Sequence, residues 1–432
     1  MQTQKSRVPL LLEISLGVLI IGAGIALFAL HEGPMLPDTI PQCCDEADYR
    51  YLAEHFWGVP HDLSTYEQDF HGYWGMVLSN IPFRDLGPGT VYLMLDAFGL
   101  SARSMHLFLM IMLASASFVF FLCTSRMIGI ARAATMLAIL VLPPQQWLLT
   151  NQFNAEPFLR AILILLLIPI IAVTTDTKRP AFAALWIAVL ILIASHFKVM
   201  WMIFGIMLLP VLLPRLLLQR QWAALAILTG GMFLIPLTQS VIHTIGWGDA
   251  TLSGDAGLHL TGKYPSFLPF VCARSPTSAI SWNFCNQRNL EFKPWWDFLR
   301  EQSTSTDVIH LIRSLDAATL PFLLSQPLEA AHNIFEGFRI ATNFPNTDSF
   351  ALHLIDWLTM IVLCCGILFR KTRILSAFAV ALWSIPALGN ALSVYDGRYH
   401  MIMAGLPLAI AALVVLEIPA DGIMRFRKDT HP

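Results

Sequence analysis

The chain has 432 residues, of which 56% are hydrophobic and only 13% are charged. Because soluble domains typically carry about 25% charged residues, this composition excludes an ordinary soluble protein and predicts an integral membrane protein. The formal net charge of -2 is uninformative as a sum, since the charges are segregated along the chain, and we expect no nucleic acid among the partners.

Apolar runs of roughly 17 to 23 residues recur along the chain, each long enough to cross about 30 Å of hydrocarbon as a helix. In chain order they cover residues 8–30, 104–124, 133–150, 156–174, 181–197, 199–218, 222–242, 351–369, 374–391 and 401–418. The sequence therefore predicts an all-α polytopic membrane protein with a bundle of about ten transmembrane helices. The first run is too long to be a cleaved signal peptide, so we interpret it as a retained anchor.

Basic residues cluster between these runs on a single predicted side of the membrane. The clusters are Lys5 with Arg7, Arg126 with Arg132, Lys178 with Arg179, Arg215 with Arg220, the run from Arg370 to Arg373, and Arg425 with Arg427 and Lys428. Since cytoplasmic loops carry the excess of Lys and Arg, this side is predicted to be cytoplasmic. We expect a bacterial plasma (inner) membrane, with the long polar segments on the periplasmic side.

This topology divides the chain into five parts. They are a first transmembrane helix (1–30), an outer loop with juxtamembrane helices (31–103), a transmembrane bundle (104–242), a second outer segment (243–350), and C-terminal transmembrane helices with a basic cytoplasmic tail (351–432). The run 86–100 in the outer loop is too short and too rich in Gly and Pro to span comfortably, so we expect it to pack against the bundle.

Cysteines in the outer segments indicate a disulfide. Cys272 and Cys285 lie in the same outer segment, where an oxidising compartment allows a bridge that closes a short loop. Pairings of Cys43 or Cys44 with a distant partner stay open. No Cys/His spacing matches a structural zinc site.

An acid pair, Asp45 and Glu46, stands in the polar stretch after the first span. If Asp45 opens a helix, an apolar stripe follows at intervals of four, three and four residues: Tyr49, Leu52 and Phe56. We expect this stripe to lie on the membrane and to hold the Asp45 carboxylate at its surface. Glu46 is expected to pair with Arg50, four residues on. The alternative is that Asp45 is only a helix N-cap, which explains both acids without catalysis.

Other acids and histidines are further candidates. Glu67, Asp69 and His71 could approach the acid pair over the membrane and supply a general base and a divalent-metal or pyrophosphate site. Asp69 and His71 are therefore candidates for contact with an acceptor or a metal, although polar loops often carry such residues without function. Glu156 is a third candidate, but it stands four residues before Arg160, a spacing that also suits a structural ion pair. No cofactor is firmly predicted.

Several short motifs, taken in order, resemble a known family. They are the acid pair with Tyr49, GPGTVYLMLDAFGL (Gly87 to Leu100), NQFNAEPFLRAILILLL (Asn151 to Leu167), SHFK (Ser195 to Lys198) and GRYHMIMAGLPL (Gly397 to Leu408). Together they resemble the GT-C superfamily of integral-membrane glycosyltransferases, which includes protein O-mannosyltransferases and lipid A aminoarabinose transferases. The usual paired prolines of the juxtamembrane run are here Gly87, Pro88 and Gly89.

The resemblance implies transfer of a sugar from a polyprenyl-phosphate donor to an acceptor hydroxyl of a glycan, lipid or protein at the outer face. Asp45 would be the catalytic base, with Glu46 in support, because an attacking hydroxyl needs a carboxylate to take its proton. Lys198 and Arg398, with Tyr399, would hold the phosphate that leaves. Lys198 lies between two apolar runs, where a lysine is costly unless it meets a partner or snorkels to the interface.

Two other functions stay open. A transporter or flippase for a lipid-linked substrate would need charged groups near the bilayer midplane, and Glu13 and Asp356 are the only acids clearly inside predicted spans, each near an end. A non-catalytic membrane partner subunit would share the same sequence pattern. It would differ from a transferase in tolerating replacement of Asp45.

Overall fold

The structure, a computed structural model of the chain, describes most of the predicted spans. The described residues are 10–32, 45–59, 85–151, 153–175, 179–248, 250, 260, 264, 266–274, 305–342, 350–369, 371–392, 403 and 405–428. Every regular element within them is a helix, which confirms the predicted all-α architecture.

The helices of the N-terminal half follow the predicted apolar runs. In chain order they are α1 (Leu10–Glu32), α2 (Asp45–Trp57), α3 (Leu86–Ala97), α4 (Ala102–Ile128), α5 (Ile130–Val141), α6 (Gln145–Leu148), α7 (Glu156–Thr174), α8 (Pro180–Phe197), α9 (Met200–Leu218) and α10 (Trp222–Trp247). Some boundaries have clear local causes. The Ser101 side chain accepts from the backbone N–H of Ser104 and so caps α4. Pro157 and Pro180 occupy the first turns of α7 and α8, where a missing N–H costs nothing.

The C-terminal half adds helices on one side of this bundle. They are α11 (Phe267–Arg274), α12 (Ser305–Ser325), α13 (Pro327–Thr342), α14 (Phe350–Leu368), α15 (Arg373–Leu392) and α16 (Leu406–Lys428). Helix α15 packs against α9, while α14 and α16 pack on each other and on α15. Helix α13 packs along α15.

The described helices include enough long apolar segments to cross a membrane repeatedly. Six are long and apolar enough by themselves: α1, α4, α7, α8, α9 and α10. Shorter apolar stretches lie at Ile130–Val141, Leu354–Leu368, Arg373–Ile385 and Leu406–Glu417. Each predicted run overlaps a helix in the described part of the chain, and the protein is an all-α polytopic membrane protein.

The third predicted span is wrong in its second half. Helix α5 ends at Val141, because Pro143 and Pro144 cannot continue the helical hydrogen-bond pattern. The chain continues through α6 and a turn of 3-10 helix, Leu149–Asn151, to the start of α7. Trp147 is fully buried, and its Nε1 donates to the Val141 carbonyl at 2.8 Å. Irregular backbone is tolerated at membrane depth when protein encloses it in this way.

The helix order gathers basic residues at one end of the bundle. Arg126 lies in the last turn of α4, Arg179 directly precedes α8, and Arg215 lies in the last turn of α9. Arg215 Nη2 donates to the carbonyl of Thr174, the last residue of α7, at 3.2 Å, which joins two of these helix ends. We call this the basic end and the opposite end, where α8 passes into α9 at Lys198, the polar end. That the basic end faces the cytoplasm stays a prediction.

Candidate functional site at the polar end

A buried ion pair lies at the polar end. Helix α8 ends at Phe197 and α9 begins at Met200, so Lys198, in extended conformation, forms the tip of a helical hairpin. Its Nζ donates to Oε1 of Glu156, the first residue of α7, at 3.0 Å, and the two side chains are 11% and 1% exposed. Two candidate residues that are 42 positions apart are therefore in direct contact.

This contact corrects the expected pairing of Glu156 with Arg160. Arg160 is fully buried, and its Nη2 donates to the Leu140 carbonyl at 3.3 Å. A cation at this position stabilises the unpaired carbonyls where α5 ends. The second carboxylate oxygen of Glu156, Oε2, is buried and has no hydrogen-bond partner among the residues that the structure describes. This oxygen is a buried acceptor whose water has been removed, which is costly.

Polar contacts hold the irregular segment that leads into α7. Tyr92 Oη donates to the Asn154 carbonyl at 2.9 Å, and His106 Nδ1 lies 2.8 Å from the Thr150 carbonyl. The backbone N–H of Glu156 donates to Asn154 Oδ1 at 3.2 Å. Because Thr150 and Asn154 are fully buried, these contacts replace water for the backbone groups. They fix the position of Glu156 relative to α3 and α4.

Asp85 is not among the predicted site residues, yet it joins three elements at the polar end. Its Oδ2 accepts from the backbone N–H of Val199 at 3.1 Å, and its Oδ1 accepts from Gln239 Nε2 at 3.3 Å. Gln239 Nε2 also lies 3.3 Å from His243 Nε2. The sequence does show an acid just before a Gly-Pro-Gly run, but its partners are 114 and 154 positions away, beyond any local pattern.

Helix α2 begins at Asp45, as expected, and packs on α3. At Gly89 a Cβ atom would collide with the Tyr49 carbonyl, so this glycine permits the close approach of the two helices. At Gly87 a Cβ atom would lie 2.6 Å from the His196 carbonyl at the end of α8. Helix α3 is therefore in contact with α2 and with the α8–α9 hairpin.

The apolar stripe of α2 packs into protein, so the expectation that it lies on the membrane is wrong. Tyr49 and Leu52 are each 2% exposed. The ring of Phe56 lies 5.7 Å from that of Trp247, at the end of α10. Gly89 has no side chain, so α3 can approach α2 closely and cover the stripe.

Ion pairs add to the contact between α2 and α3. Arg50 Nε donates to Glu54 Oε1 at 2.8 Å within α2, and Arg50 Nη2 donates to Asp96 Oδ2 in α3 at 3.0 Å. Asp45 and Glu46 are the first residues of α2, but their side chains lie outside the described residues. The pairing of Glu46 with Arg50 and the catalytic role of Asp45 therefore stay predictions.

The remaining predicted residues lie outside the described part of the chain: Asp69, His71, Arg398 and Tyr399. Among the described residues, no three metal-binding side chains form a group that could hold a metal ion. Cys272 is disulfide-bonded. The other described cysteines, Cys123, Cys364 and Cys365, are free, so the partner of Cys272 lies outside the described residues. Its pairing with Cys285 stays a prediction.

An apolar groove lies beside the ion pair, between α4, α7 and α8. It encloses about 950 Å³. Towards the polar end it is lined by Phe158 and Phe197, whose ring centroids are 4.8 Å apart. Phe158 lies two residues after Glu156, and Phe197 lies one residue before Lys198, so the groove reaches close to the ion pair.

No protein-family model matches the chain, and no curated protein matches it in sequence. Among solved structures, the chain is similar to the crystal structure of ArnT from Cupriavidus metallidurans bound to undecaprenyl phosphate. The TM-score is 0.32 and the sequence identity 13%, over 94% of this chain and 78% of that one. A likeness this weak carries no information about activity, so the functional conclusion rests on the residues of this chain.

Proposed function

We propose that this chain is a membrane glycosyltransferase of the GT-C type, which moves a sugar from a polyprenyl-phosphate donor to an acceptor hydroxyl at the polar end. The observation that carries the proposal is the position of α3. It contacts the acid-bearing helix α2 through Gly89 and the α8–α9 hairpin through Gly87 and Asp85. The acid pair and Lys198 are far apart in sequence, but the elements that carry them both pack on the short helix α3. The motifs that resemble the GT-C superfamily include these same elements.

In the proposed reaction, the acceptor oxygen attacks the anomeric carbon, the bond from that carbon to the phosphate oxygen breaks, and polyprenyl phosphate leaves. Asp45 takes the proton of the attacking hydroxyl as general base, and Glu46 orients the start of α2. Lys198 and Arg398 stabilise the negative charge that grows on the phosphate. Glu156 holds Lys198 in position through its Oε1.

The placement of the charged groups favours a transferase over a transporter. Glu156 begins α7, Lys198 follows α8 and Asp85 precedes α3, so all three lie at helix ends. Transporters place such groups near the bilayer midplane, on broken helices that face each other. Charges at one end of the bundle suit a reaction at the membrane surface.

The proposal is tested with the purified full-length protein in liposomes, supplied with a panel of polyprenyl-phosphate sugars and hydroxyl acceptors. We expect one donor to release polyprenyl phosphate in step with formation of the glycosylated acceptor. Movement of a labelled lipid across the bilayer without transfer would identify a flippase instead. Stable binding to a second membrane protein, with neither activity, would identify a partner subunit.

A further inference from the structure

The groove between α4, α7 and α8 extends well beyond the polar end. On α4 it is lined from Met112 to Met127, which at 1.5 Å per residue is about 22 Å along the helix. The hydrocarbon core of a bilayer is about 30 Å thick. The groove therefore covers most of the depth of the membrane, and its far end lies at the basic end of the bundle.

The interior of the groove suits a hydrocarbon chain. The polar side chains that line it are Ser115, Cys123, Arg126 and Arg179, and none of its described lining residues is acidic. Its volume of about 950 Å³ is at the upper end of the range for ligand sites, about 300–1,000 Å³. An apolar space of this length admits a lipid tail.

The only cations that line the groove in the described part of the chain lie at its basic end. Arg126 and Arg179 have exposed side chains and come from different helices, α4 and the start of α8. Phe182 and Trp186, which also line the groove, are 57% and 46% exposed. Aromatic and basic residues together are typical of the level at which lipid headgroups lie.

The cations decide which lipid the groove would select. Lipid tails are as apolar as the groove, so a tail gains little by leaving the bilayer for it. A phosphate between two guanidinium groups gains charge-assisted hydrogen bonds that bulk lipid cannot supply, and basic pockets between transmembrane helices bind anionic headgroups in this way. Selectivity should therefore come from the headgroup.

We propose that the groove binds an anionic phospholipid from the leaflet at the basic end. One acyl chain lies between α4, α7 and α8, and the phosphate group lies between Arg126 and Arg179. The phosphate position lies at the opposite end of the bundle from Lys198 and Glu156, and the proposal does not depend on the transferase activity.

Native mass spectrometry of the purified full-length protein tests the proposal, with phosphatidylglycerol and phosphatidylcholine as probes. The wild type should retain phosphatidylglycerol preferentially, and Arg126→Gln/Arg179→Gln should lower that preference by about 30-fold, the product expected for two surface cations. Arg220→Gln is the matched control, since Arg220 is exposed at the same end but does not line the groove. An unchanged preference in the double variant would overturn the proposal.

A second variant tests the position of the tail. Ile162 lines the groove in α7 and is partly buried, so Ile162→Trp should narrow the groove at its middle and reduce retention of phosphatidylglycerol while both arginines remain. A polyprenyl phosphate serves as the competing probe. If Ile162→Trp abolishes retention of the polyprenyl phosphate and leaves phosphatidylglycerol bound, the groove holds a polyprenyl tail from the polar end and the proposal is wrong.

Discussion

Lys198 Nζ and Glu156 Oε1 lie 3.0 Å apart where the α8–α9 hairpin meets the start of α7. A buried ion pair stabilises a protein little in net terms, because both charges lose their water, but it is costly to break from one side. The pair therefore serves best to hold the hairpin tip in one position relative to α7.

Replacing one member of this pair should lower the free energy of unfolding more than replacing both members. We expect Lys198→Met to lower the free energy of unfolding by about 3–5 kcal/mol, because it leaves the buried Glu156 carboxylate without its cation. Lys198→Met/Glu156→Gln should recover much of that loss. Unfolding in mixed micelles measures both, with the exposed Lys371→Met as the control. Losses that simply add in the double variant would rule out the pairing.

Asp45→Asn separates catalysis from helix capping, because Asn keeps a capping oxygen but is not basic. We expect turnover to fall by at least about 10²-fold, while the melting temperature and donor binding stay near those of the wild type. The control is Glu13→Gln in α1, which removes a carboxylate far from α2 in sequence. Sugar transfer at a near-normal rate by Asp45→Asn would assign the base to another acid of the outer loop, with Asp69 next.

Gly89→Ala tests whether the docking of α2 on α3 is needed. The added Cβ would collide with the backbone carbonyl of Tyr49, which cannot move aside as a flexible side chain would. We expect a lower melting temperature and faster proteolysis within α2. Gly230→Ala in α10 is the matched control, since its Cβ would meet nothing within 4 Å and should stabilise the helix slightly. Equal melting temperatures for the two variants would contradict the close contact.

Asp85→Asn should lower the free energy of unfolding, although Asn has nearly the same shape as Asp. The carboxylate accepts one bond on each oxygen, from Val199 and Gln239, and an amide would turn a donor towards one of them. We expect a loss of about 1–3 kcal/mol in the free energy of unfolding. Asp96→Asn should cost less than about 1 kcal/mol, because that side chain is 44% exposed in its pair with Arg50. Unfolding curves of the two variants measure both losses. Similar losses for Asp85→Asn and Asp96→Asn would count against a structural role for Asp85.

Local composition was sufficient to predict the helices and several of their ends. Apolar runs of spanning length predict transmembrane helices because a backbone N–H or C=O group left unpaired in lipid is costly, and a helix pairs these groups within the segment. The start of α7 at Glu156 and Pro157 and the break at Lys198 follow from the same local reasoning. Proline is favoured in the first turn of a helix, but it does not always end one, since Pro169 lies inside α7.

One expectation that failed concerned a helix end, at Val141, and the others concerned contacts. The Glu156–Arg160 spacing suits a pair on an isolated helix, but Glu156 pairs with Lys198 and Arg160 reaches the Leu140 carbonyl. The stripe through Tyr49 was assigned to the membrane, although it faces a neighbouring helix. In both of these contacts, a protein group remote in sequence took the place of the expected neighbour, which was Arg160 for Glu156 and the membrane for the stripe.

The sequence by itself determined that this protein lies in the membrane, where its helices run and which charged residues stand at their ends, since hydropathy and helix propensity are sums over neighbouring residues. Only the tertiary structure decided which of those charges meet, and it added Asp85, which no local pattern distinguishes. Which charges meet depends on how closely the helices approach one another, and α3 approaches its neighbours closely because Gly87 and Gly89 in its first turn have no side chains.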